Sequence, residues 1–231
     1  MAKKRLKEYQ NVALRPEDVR GRIDFFDVFG RKNAVHPVRD KESEIPDGRQ
    51  VRPVSNRVHI EIGSGRGTFL VNQAKIFPQI NFLGIEWANK YYKYAVDRTG
   101  RQMAENVRII RTEAASFIAN SINDGTVECF HIYFPDPWPK RRHHKRRFIC
   151  ADNVLQLIRC LEKNGRINIT TDHAEYFQWM QRVFEGFRGK LSAAEFVRPA
   201  GADGDELAGT NYERKYRKEN RRIYTLAFKR N

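Results

Sequence analysis

From Val58 onward, short apolar runs rich in β-branched residues alternate with amphipathic stretches of helical period. This alternation constrains the fold most strongly, because strands separated by helices pair in parallel and form a sheet with helices on both faces. The sequence therefore predicts an α/β fold with seven strands, at residues 58–62, 80–86, 107–111, 127–134, 165–171, 191–197 and 222–229. It predicts helices at residues 68–77, 88–103, 114–120, 148–161 and 174–187.

The last two predicted strands are joined by the Gly-rich and charged segment PAGADGDELAGTNYERKYRKEN, in which we expect no helix. Such a connection favours antiparallel pairing, so the last strand should run against an otherwise parallel sheet. A length of 231 residues suits one α/β domain, which we assign to residues 58–231. Residues 1–57 are polar, basic and interrupted by prolines, and they predict an N-terminal extension with an exposed loop, RDKESEIPDGRQ.

The composition points to a polyanionic partner. There are 43 Lys and Arg against 28 Asp and Glu, a net charge of +15. Nucleic acid is the leading candidate, the alternative being a basic surface that only prevents aggregation. The chain has neither an apolar run long enough to span a membrane nor a signal peptide, so we expect no membrane partner and a cytoplasmic location.

Cysteine and histidine usage predicts no metal site. The three cysteines, Cys129, Cys150 and Cys160, have no CxxC spacing and are interpreted as small core residues. The adjacent histidines, His143 and His144, have basic neighbours that would repel a metal cation.

The segment VHIEIGSGRGTFLVNQA is an apolar strand followed by Gly63, Gly65 and Gly67 and then a helix start. Glycines at such a junction let the backbone approach a ligand, whereas a tight turn without a ligand is the alternative. Dinucleotides and S-adenosylmethionine both lie on such loops and both offer ribose hydroxyls to an acid such as Glu86. A dinucleotide loop needs a third glycine where this sequence has Thr68.

The pattern G-x-G-x-G preceded by the acidic Glu61 resembles the first motif of class I S-adenosylmethionine-dependent methyltransferases. In that superfamily the acid lies near the methionine end of the cofactor. A carboxylate suits a cationic ligand and would repel a pyrophosphate. Glu113, after the third strand, is placed to receive the adenine amino group, or else Thr112 caps the next helix with Glu113 in its first turn.

The segment FPDPWPKRRHHKRR follows the fourth predicted strand. Asp136 stands at the carboxyl end of that strand, where ligands bind in doubly wound sheets, and flanking prolines stiffen the turn. Residues 140–147 contain only Lys, Arg and His, and so dense a positive charge favours a nucleic-acid backbone. Trp138 stacks on a base or packs in the protein; both remain open.

This segment resembles the fourth motif of the bacterial tRNA (guanine-N7-)-methyltransferases. The resemblance extends from about Val58 to the end, through EIGSGRG, GIE, FPDPWPKRRHHKRR, TTDHAEYF and TNYERKY in the family's order. It implies a Rossmann-like class I methyltransferase that transfers a methyl group from S-adenosylmethionine to N7 of guanine in the tRNA variable loop, at position 46. Another RNA substrate such as rRNA, and a non-catalytic RNA-binding protein on the same scaffold, are the alternatives.

The resemblance also implies roles for individual residues. Asp136 is the expected catalytic residue, and it would orient the guanine or the methyl donor. The resemblance does not decide between a monomer and a homodimer. Asp172 could instead cap the following helix, and Glu213 could pair with a neighbouring Arg214 or Lys215. The expected cofactor contacts are Glu61, Gly63, Gly65, Gly67, Glu86, Glu113 and Asp136; the expected substrate contacts are Lys140, Arg141, Arg142, Arg146, Arg147, Asp172, Thr210, Asn211, Tyr212 and Glu213.

Overall fold

The computed structural model describes residues 6–19, 21–29, 57–202 and 204–231. Its strands are β1 (Ala13–Leu14), β2 (Val58–Ile62), β3 (Asn81–Ile85), β4 (Val107–Ile110), β5 (Val127–Tyr133), β6 (Leu161–Thr171), β7 (Leu191–Ala193) and β8 (Tyr224–Arg230). Its α-helices are α1 (Phe25–Phe29), α2 (Thr68–Ile76), α3 (Asn89–Arg101), α4 (Ala114–Ser121), α5 (Ala151–Cys160), α6 (Ala174–Glu185) and α7 (Asn211–Lys218). Short 3₁₀ helices occupy Pro16–Asp18 and Arg141–Arg146.

All these strands form one sheet in the order β1-β4-β3-β2-β5-β6-β8-β7. Its strands are parallel except β8, which runs antiparallel to both β6 and β7. The predicted α/β class and the antiparallel last strand are therefore confirmed. The expectation of seven strands was one short, because β1 pairs with β4 over only two residues and carries no recognisable strand pattern.

The expectation of no helix between the last two strands was wrong. Helix α7 lies there, with its first turn stabilised by Thr210, whose hydroxyl accepts the Glu213 amide N–H at 3.1 Å. The helix consists almost entirely of polar and charged residues. It therefore lacks the apolar stripe by which an amphipathic helix is recognised in a sequence.

Each face of the sheet carries a hydrophobic core. One core packs α1, α4, α5 and α6 against residues such as Ile60 and Phe130. The other packs α2 and α3 against residues such as Phe82 and Ile109. Because both faces are covered, the carboxyl ends of the parallel strands are the open edge where side chains meet a ligand. None of the described helices has both the length and the apolar character needed to cross a membrane.

Part of the N-terminal extension packs on the domain. Val12 is buried in the core beside α3, and the Lys7 amide N–H donates to the Asp97 carboxylate at 3.0 Å. The Tyr9 ring lies directly over Gly100 of α3. The predicted exposed loop at residues 39–50 lies outside the described residues.

We predict that Gly100→Ala destabilises the protein, because the added methyl group would overlap the Tyr9 ring. Overpacking of this kind costs about 1–3 kcal/mol, against a gain in helix propensity of about 1 kcal/mol. Denaturant unfolding of the purified variants measures the difference. In a Tyr9→Ala background the same substitution should be neutral or stabilising; equal destabilisation in both backgrounds would show that Tyr9 does not dock on this helix.

Candidate active site

The glycine loop connects β2 to α2 at the open edge of the sheet. Gly63, Gly65 and Gly67 all have positive φ, and Gly67 caps α2 in the left-handed region that residues with a Cβ rarely adopt. The loop is held to β3 because the amide N–H groups of Gly63 and Ser64 both donate to the Ile85 carbonyl, at 2.9 and 3.1 Å. Its backbone is therefore fixed without a ligand.

A cavity of about 260 Å³ lies above this loop. Glu61 and the glycine loop line one side of the cavity, and Thr210 with the first residues of α7 lines the other. The lining residues are Glu61, Gly63, Ser64, Gly65, Arg66, Thr68, Phe69, Tyr91, Tyr133, Thr210, Asn211, Tyr212 and Lys215.

Glu61 is the buried acid of this cavity. Its side chain is only 4% exposed, and Oε2 has no hydrogen-bond partner among the described residues. Burial, with a further contribution from the neighbouring Glu86 carboxylate, raises the pKa of Glu61 well above its ordinary value. A buried carboxylate without a partner is costly, so the cavity is built to receive a cationic or hydrogen-donating group.

Glu86 joins the glycine loop to the residue that precedes α3. Its carboxylate accepts the amide N–H groups of Gly65 at 2.8 Å and Ala88 at 2.7 Å. The pKa of Glu86 is raised above its ordinary value, chiefly by burial. The two hydrogen bonds partly offset this increase, and the Asp136 carboxylate adds to it. Asp136 is thus within electrostatic range of Glu86, on the edge of the sheet that carries the glycine loop.

The turn after β5, residues 134–139, contains Pro135, Pro137 and Pro139 and is named the proline turn; it is strained and stiff. Phe134 and Trp138 both have positive φ, at 52° and 42°, which bulky residues adopt only where the surrounding structure imposes it. Asp136 is exposed between them, and no described residue forms a hydrogen bond or an ion pair with its carboxylate. The turn therefore presents one unpaired carboxylate in a fixed place.

Arg147 stabilises this turn from the interior of the protein. Its guanidinium is fully buried; Nε donates to the Pro137 carbonyl at 2.9 Å, and both terminal nitrogens donate to Glu175 of α6. The rings of Tyr176 and Trp179 lie 4.9 and 5.1 Å from its guanidinium carbon. The expectation that Arg147 contacts phosphate is therefore wrong, because its charge is neutralised inside the protein.

The remaining cations of the segment form an exposed basic ridge, which we define as Lys140, Arg141, Arg142, Lys145 and Arg146. The 3₁₀ helix places them on the surface beside Asp136 in the chain. Trp138 is half-buried under the ridge, edge-on to His143 at 5.8 Å and with the Arg146 guanidinium 5.0 Å above its ring. It packs within the turn in this structure.

The predicted substrate residues at the start of α7 divide into two groups. Thr210, Asn211 and Tyr212 line the cavity, where the Asn211 amide donates to the Thr68 hydroxyl at 2.9 Å. Glu213, in contrast, is fully buried. Its carboxylate accepts three amide N–H groups of the preceding loop and pairs with Arg217 at 2.9 Å. The expectation that it contacts the substrate is therefore wrong, and its ion-pair partner is Arg217 where Arg214 or Lys215 was the alternative.

Two further acids, Asp172 and Glu113, form contacts with other groups of the protein. Asp172 pairs with Arg221 at 2.8 Å, and His173 caps α6, so the alternative role of Asp172 as a helix cap is wrong. Glu113 itself caps α4, because its carboxylate accepts the amide N–H groups of Ala115 and Ser116, so the alternative in which Thr112 is the cap is wrong. Neither acid lines the cavity, and the same holds for Gly67, Glu86 and Asp136.

Sequence reasoning missed Tyr91, Tyr133 and Lys215, which also line the cavity. Tyr133 is the last residue of β5 and lines the cavity, and its place at the carboxyl end of a central parallel strand is the signal that could have found it. Tyr91 carries no such signal, because it is one of three tyrosines in the run YYKY.

Comparison with known proteins gives consistent matches. A family model described as "Putative methyltransferase" matches residues 55–226. The tRNA (guanine-N(7)-)-methyltransferase of Streptococcus thermophilus (strain CNRZ 1066) is 32% identical over 196 residues, covering 84% of this chain and 91% of the relative. The protein of the same description from Neisseria meningitidis (strain FAM18) is 34% identical over 177 residues, covering 76% and 73%.

Solved structures share the fold at low sequence identity. A 30S ribosomal A1408 methyltransferase from an uncultured bacterium has a TM-score of 0.51 and 18% identity, covering 77% of this chain and 89% of that one. Geranyl diphosphate C-methyltransferase from Streptomyces coelicolor has a TM-score of 0.52 and 12% identity, covering 77% and 70%. These likenesses confirm the Rossmann-like methyltransferase fold.

We predict that Glu61→Gln stabilises the ligand-free protein at neutral pH. Because the pKa of Glu61 is raised on folding, the folded chain binds this proton more tightly, and stability is lost as pH rises above the ordinary value of 4.5. Removing the buried charge should raise the free energy of unfolding by about 1–3 kcal/mol at neutral pH. The gain should shrink below pH 4.5, where the unfolded chain is protonated as well.

Thermal unfolding of both proteins across this pH range, without ligand, makes the measurement. Glu195→Gln, which changes an exposed carboxylate, is the matched control and should change little. A difference between Glu61→Gln and the native chain that does not vary with pH would contradict the prediction.

Proposed function

The chain belongs to the tRNA (guanine-N(7)-)-methyltransferase family, and from that premise we infer that it transfers a methyl group from S-adenosylmethionine to N7 of guanine in tRNA. We propose the guanine at position 46 of the variable loop as the acceptor, and the cytoplasm, where tRNA is processed, as the location. The observation that carries the proposal is the exposed Asp136 carboxylate, which pairs with no described residue, influences Glu86 electrostatically and lies directly before the basic ridge in the chain.

The cavity suits the amino-acid end of the cofactor. S-adenosylmethionine supplies an electrophilic methyl group on a sulfonium centre, and its amino group is cationic. Glu61 has a buried oxygen that no described residue satisfies, and it would receive that amino group. The loop from Gly63 to Gly65 would lie against the carboxylate end. Glu86 would take the ribose hydroxyls with the lone pairs that its two amide contacts leave available.

The reaction needs positioning more than proton transfer. Guanine N7 carries an in-plane lone pair and no proton, so no general base is required. Alignment of donor and acceptor contributes up to about 7–11 kcal/mol in reactions of this kind. Asp136, held by prolines and by the buried Arg147, would accept hydrogen bonds from the guanine N1–H and amino groups and favour the positive charge that forms on the methylated base.

Among the acids considered for this role, Asp136 is the one left available. Glu213 is buried in the loop before α7, and Asp172 pairs with Arg221. The Arg221 guanidinium also lies 4.7 Å above the Tyr216 ring, which contacts Phe134 of the proline turn at 5.5 Å. Asp172 is thus a support for the substrate side of the site, which is a different role from the direct contact that we expected.

Recognition of tRNA would rest on shape and phosphate contacts. The basic ridge supplies five exposed cations next to Asp136 in the chain. Cations of this density contact a nucleic-acid backbone and carry no base specificity by themselves. One guanine would then reach Asp136 because the ridge fixes the register of the loop.

We predict that the full-length protein methylates unmodified tRNA with labelled S-adenosylmethionine, and that the label maps to N7 of guanine 46. Asp136→Asn should lower the rate of transfer by at least about a hundredfold while the fold and cofactor affinity are retained, because an amide loses the charged acceptor at the guanine edge. Asp152→Asn, an exposed acid on α5, is the control and should retain full activity.

If the protein methylates rRNA and does not methylate tRNA, the substrate is rRNA and the proposal of a tRNA substrate is wrong. Label at another guanine of the tRNA would contradict position 46 alone. Near-normal turnover by Asp136→Asn would exclude Asp136 from the reaction.

We predict that the triple substitution Arg141→Ala, Arg142→Ala and Arg146→Ala weakens tRNA binding and flattens its salt dependence. Each lost phosphate contact removes about 0.7–0.9 from the slope of log K against log salt concentration. Filter binding or fluorescence anisotropy at several salt concentrations measures the slope. Lys163→Ala, Arg188→Ala and Lys190→Ala together remove three exposed cations at the opposite edge of the sheet, and they should leave the slope unchanged. Equal slopes for the two triple variants would mean that the ridge does not contact RNA.

A further inference from the structure

A second polar cluster lies inside the domain, on the face of the sheet that α2 and α3 cover. It consists of His59 on β2 and of Cys129 and His131 on β5, and neither β5 residue is more than 5% exposed. One nitrogen of each histidine and the Cys129 sulfur all lie within 4.8 Å of one another. The methyl-transfer chemistry proposed above uses none of these three side chains.

Strand pairing places these residues together. His59 is directly opposite Cys129 in the parallel register of β2 and β5, and His131 is opposite Asn168 of β6. Residues 129 and 131 are two apart on one strand, so their side chains share a face. The cluster is therefore built on three adjacent strands in the middle of the sheet, where the backbone is rigid.

An independent observation points to a ligand at this place. Asn168 is 5% exposed, and its amide nitrogen lies 3.5 Å from the Cys129 sulfur. Its other amide atom, Oδ1, is buried without a hydrogen-bond partner among the described residues. A buried amide oxygen without a partner is costly, and here it belongs to a side chain that contacts Cys129 and is paired in strand register with His131.

The histidines also have the outer partners that metal ligands use. His131 Nε2 and His59 Nδ1 are 3.1 Å apart, close to the separation of about 3.3 Å that two imidazole nitrogens have on one tetrahedral zinc ion. The opposite nitrogen of His131 is 2.8 Å from the Tyr133 hydroxyl. His59 Nε2 is 3.5 Å from Glu128 Oε2, which is close enough for an ion pair but does not meet the geometry of a hydrogen bond. Metal-bound imidazoles carry such contacts on their second nitrogen.

We propose that His59, Cys129 and His131 bind a Zn²⁺ ion, with the Asn168 amide oxygen at the fourth position. Two imidazoles and a thiolate suit zinc, and a set closed by protein ligands is typical of a structural site. The ion would tie β2 to β5 and β6 below the cavity, because β5 leads directly into Tyr133 and the proline turn. The sequence did not predict the site, because its ligands are 2 and 70 residues apart and follow no zinc motif.

Charge and protons balance at this site. On binding, the Cys129 thiol loses its proton to solvent, and His131 carries its single proton on the nitrogen that faces Tyr133. The ion and the thiolate together leave one positive charge, which lies next to the Glu128 carboxylate. Arg57 already contacts that carboxylate through two bonds of 2.6 Å. Without a metal, one proton shared between the two histidines would hold the same atoms together.

Titration of the metal-stripped, reduced full-length protein with Co²⁺ tests the proposal. We expect about one equivalent to bind with visible d–d bands and a thiolate-to-cobalt charge-transfer band, as a tetrahedral site with a sulfur ligand requires. Zn²⁺ should displace the Co²⁺ and remove both bands. The unfolding temperature should rise by several degrees with either metal.

Cys129→Ser should abolish the charge-transfer band and lower metal affinity at least about a hundredfold, because the thiolate is the charged ligand. Cys160→Ser, which changes another buried thiol, is the matched control and should keep both bands. Absence of a charge-transfer band in the native protein would overturn the proposal, whether or not the variants fold. An unchanged band in Cys129→Ser would also overturn it. Either result would leave the methyl-transfer function untouched, because the readout is metal binding.

Discussion

The buried guanidinium of Arg147 is the interaction on which the site most depends. It joins the Pro137 carbonyl to Glu175 and to two aromatic rings, so the proline turn is attached to α6 through one side chain. A buried charge is tolerated only where its hydrogen bonds are satisfied, and here carbonyl and carboxylate oxygens satisfy them. The strained backbone around Asp136 is therefore stabilised by packing behind it, and the exposed carboxylate needs no contact of its own.

The strand-and-helix alternation was enough to predict the architecture, because repeated βα units leave few topologies available. It did not predict which charges are exposed. In the run KRRHHKRR the last arginine is chemically identical to its neighbours, and only the 3₁₀ geometry turns Arg147 inward. Glu213 was misjudged for the same reason: three amide donors of the loop before α7 enclose it, and a loop conformation is not encoded by local periodicity.

The acids of the site differ by environment more than by sequence. Among the described residues, the buried Oε2 of Glu61 has no hydrogen-bond partner, Glu86 accepts two amide N–H groups, and the exposed Asp136 carboxylate is unpaired. The same functional group, a carboxylate, therefore serves three purposes, because desolvation and hydrogen bonding set the charge state and the freedom of each side chain. The cost of keeping Glu61 buried is part of what makes the cavity favour a cation, so stability and ligand affinity oppose each other at that residue.

The position of β8 has a consequence for how the chain acquires its structure during synthesis. This strand is inserted between β6 and β7, although both precede it in the chain. A nascent chain that has emerged from the ribosome as far as α7 would leave the edge of β6 unpaired and β7 without a neighbour. Unpaired edges of this kind favour association with other chains, so this half of the sheet is the part most exposed to misassembly until residues 224–230 emerge.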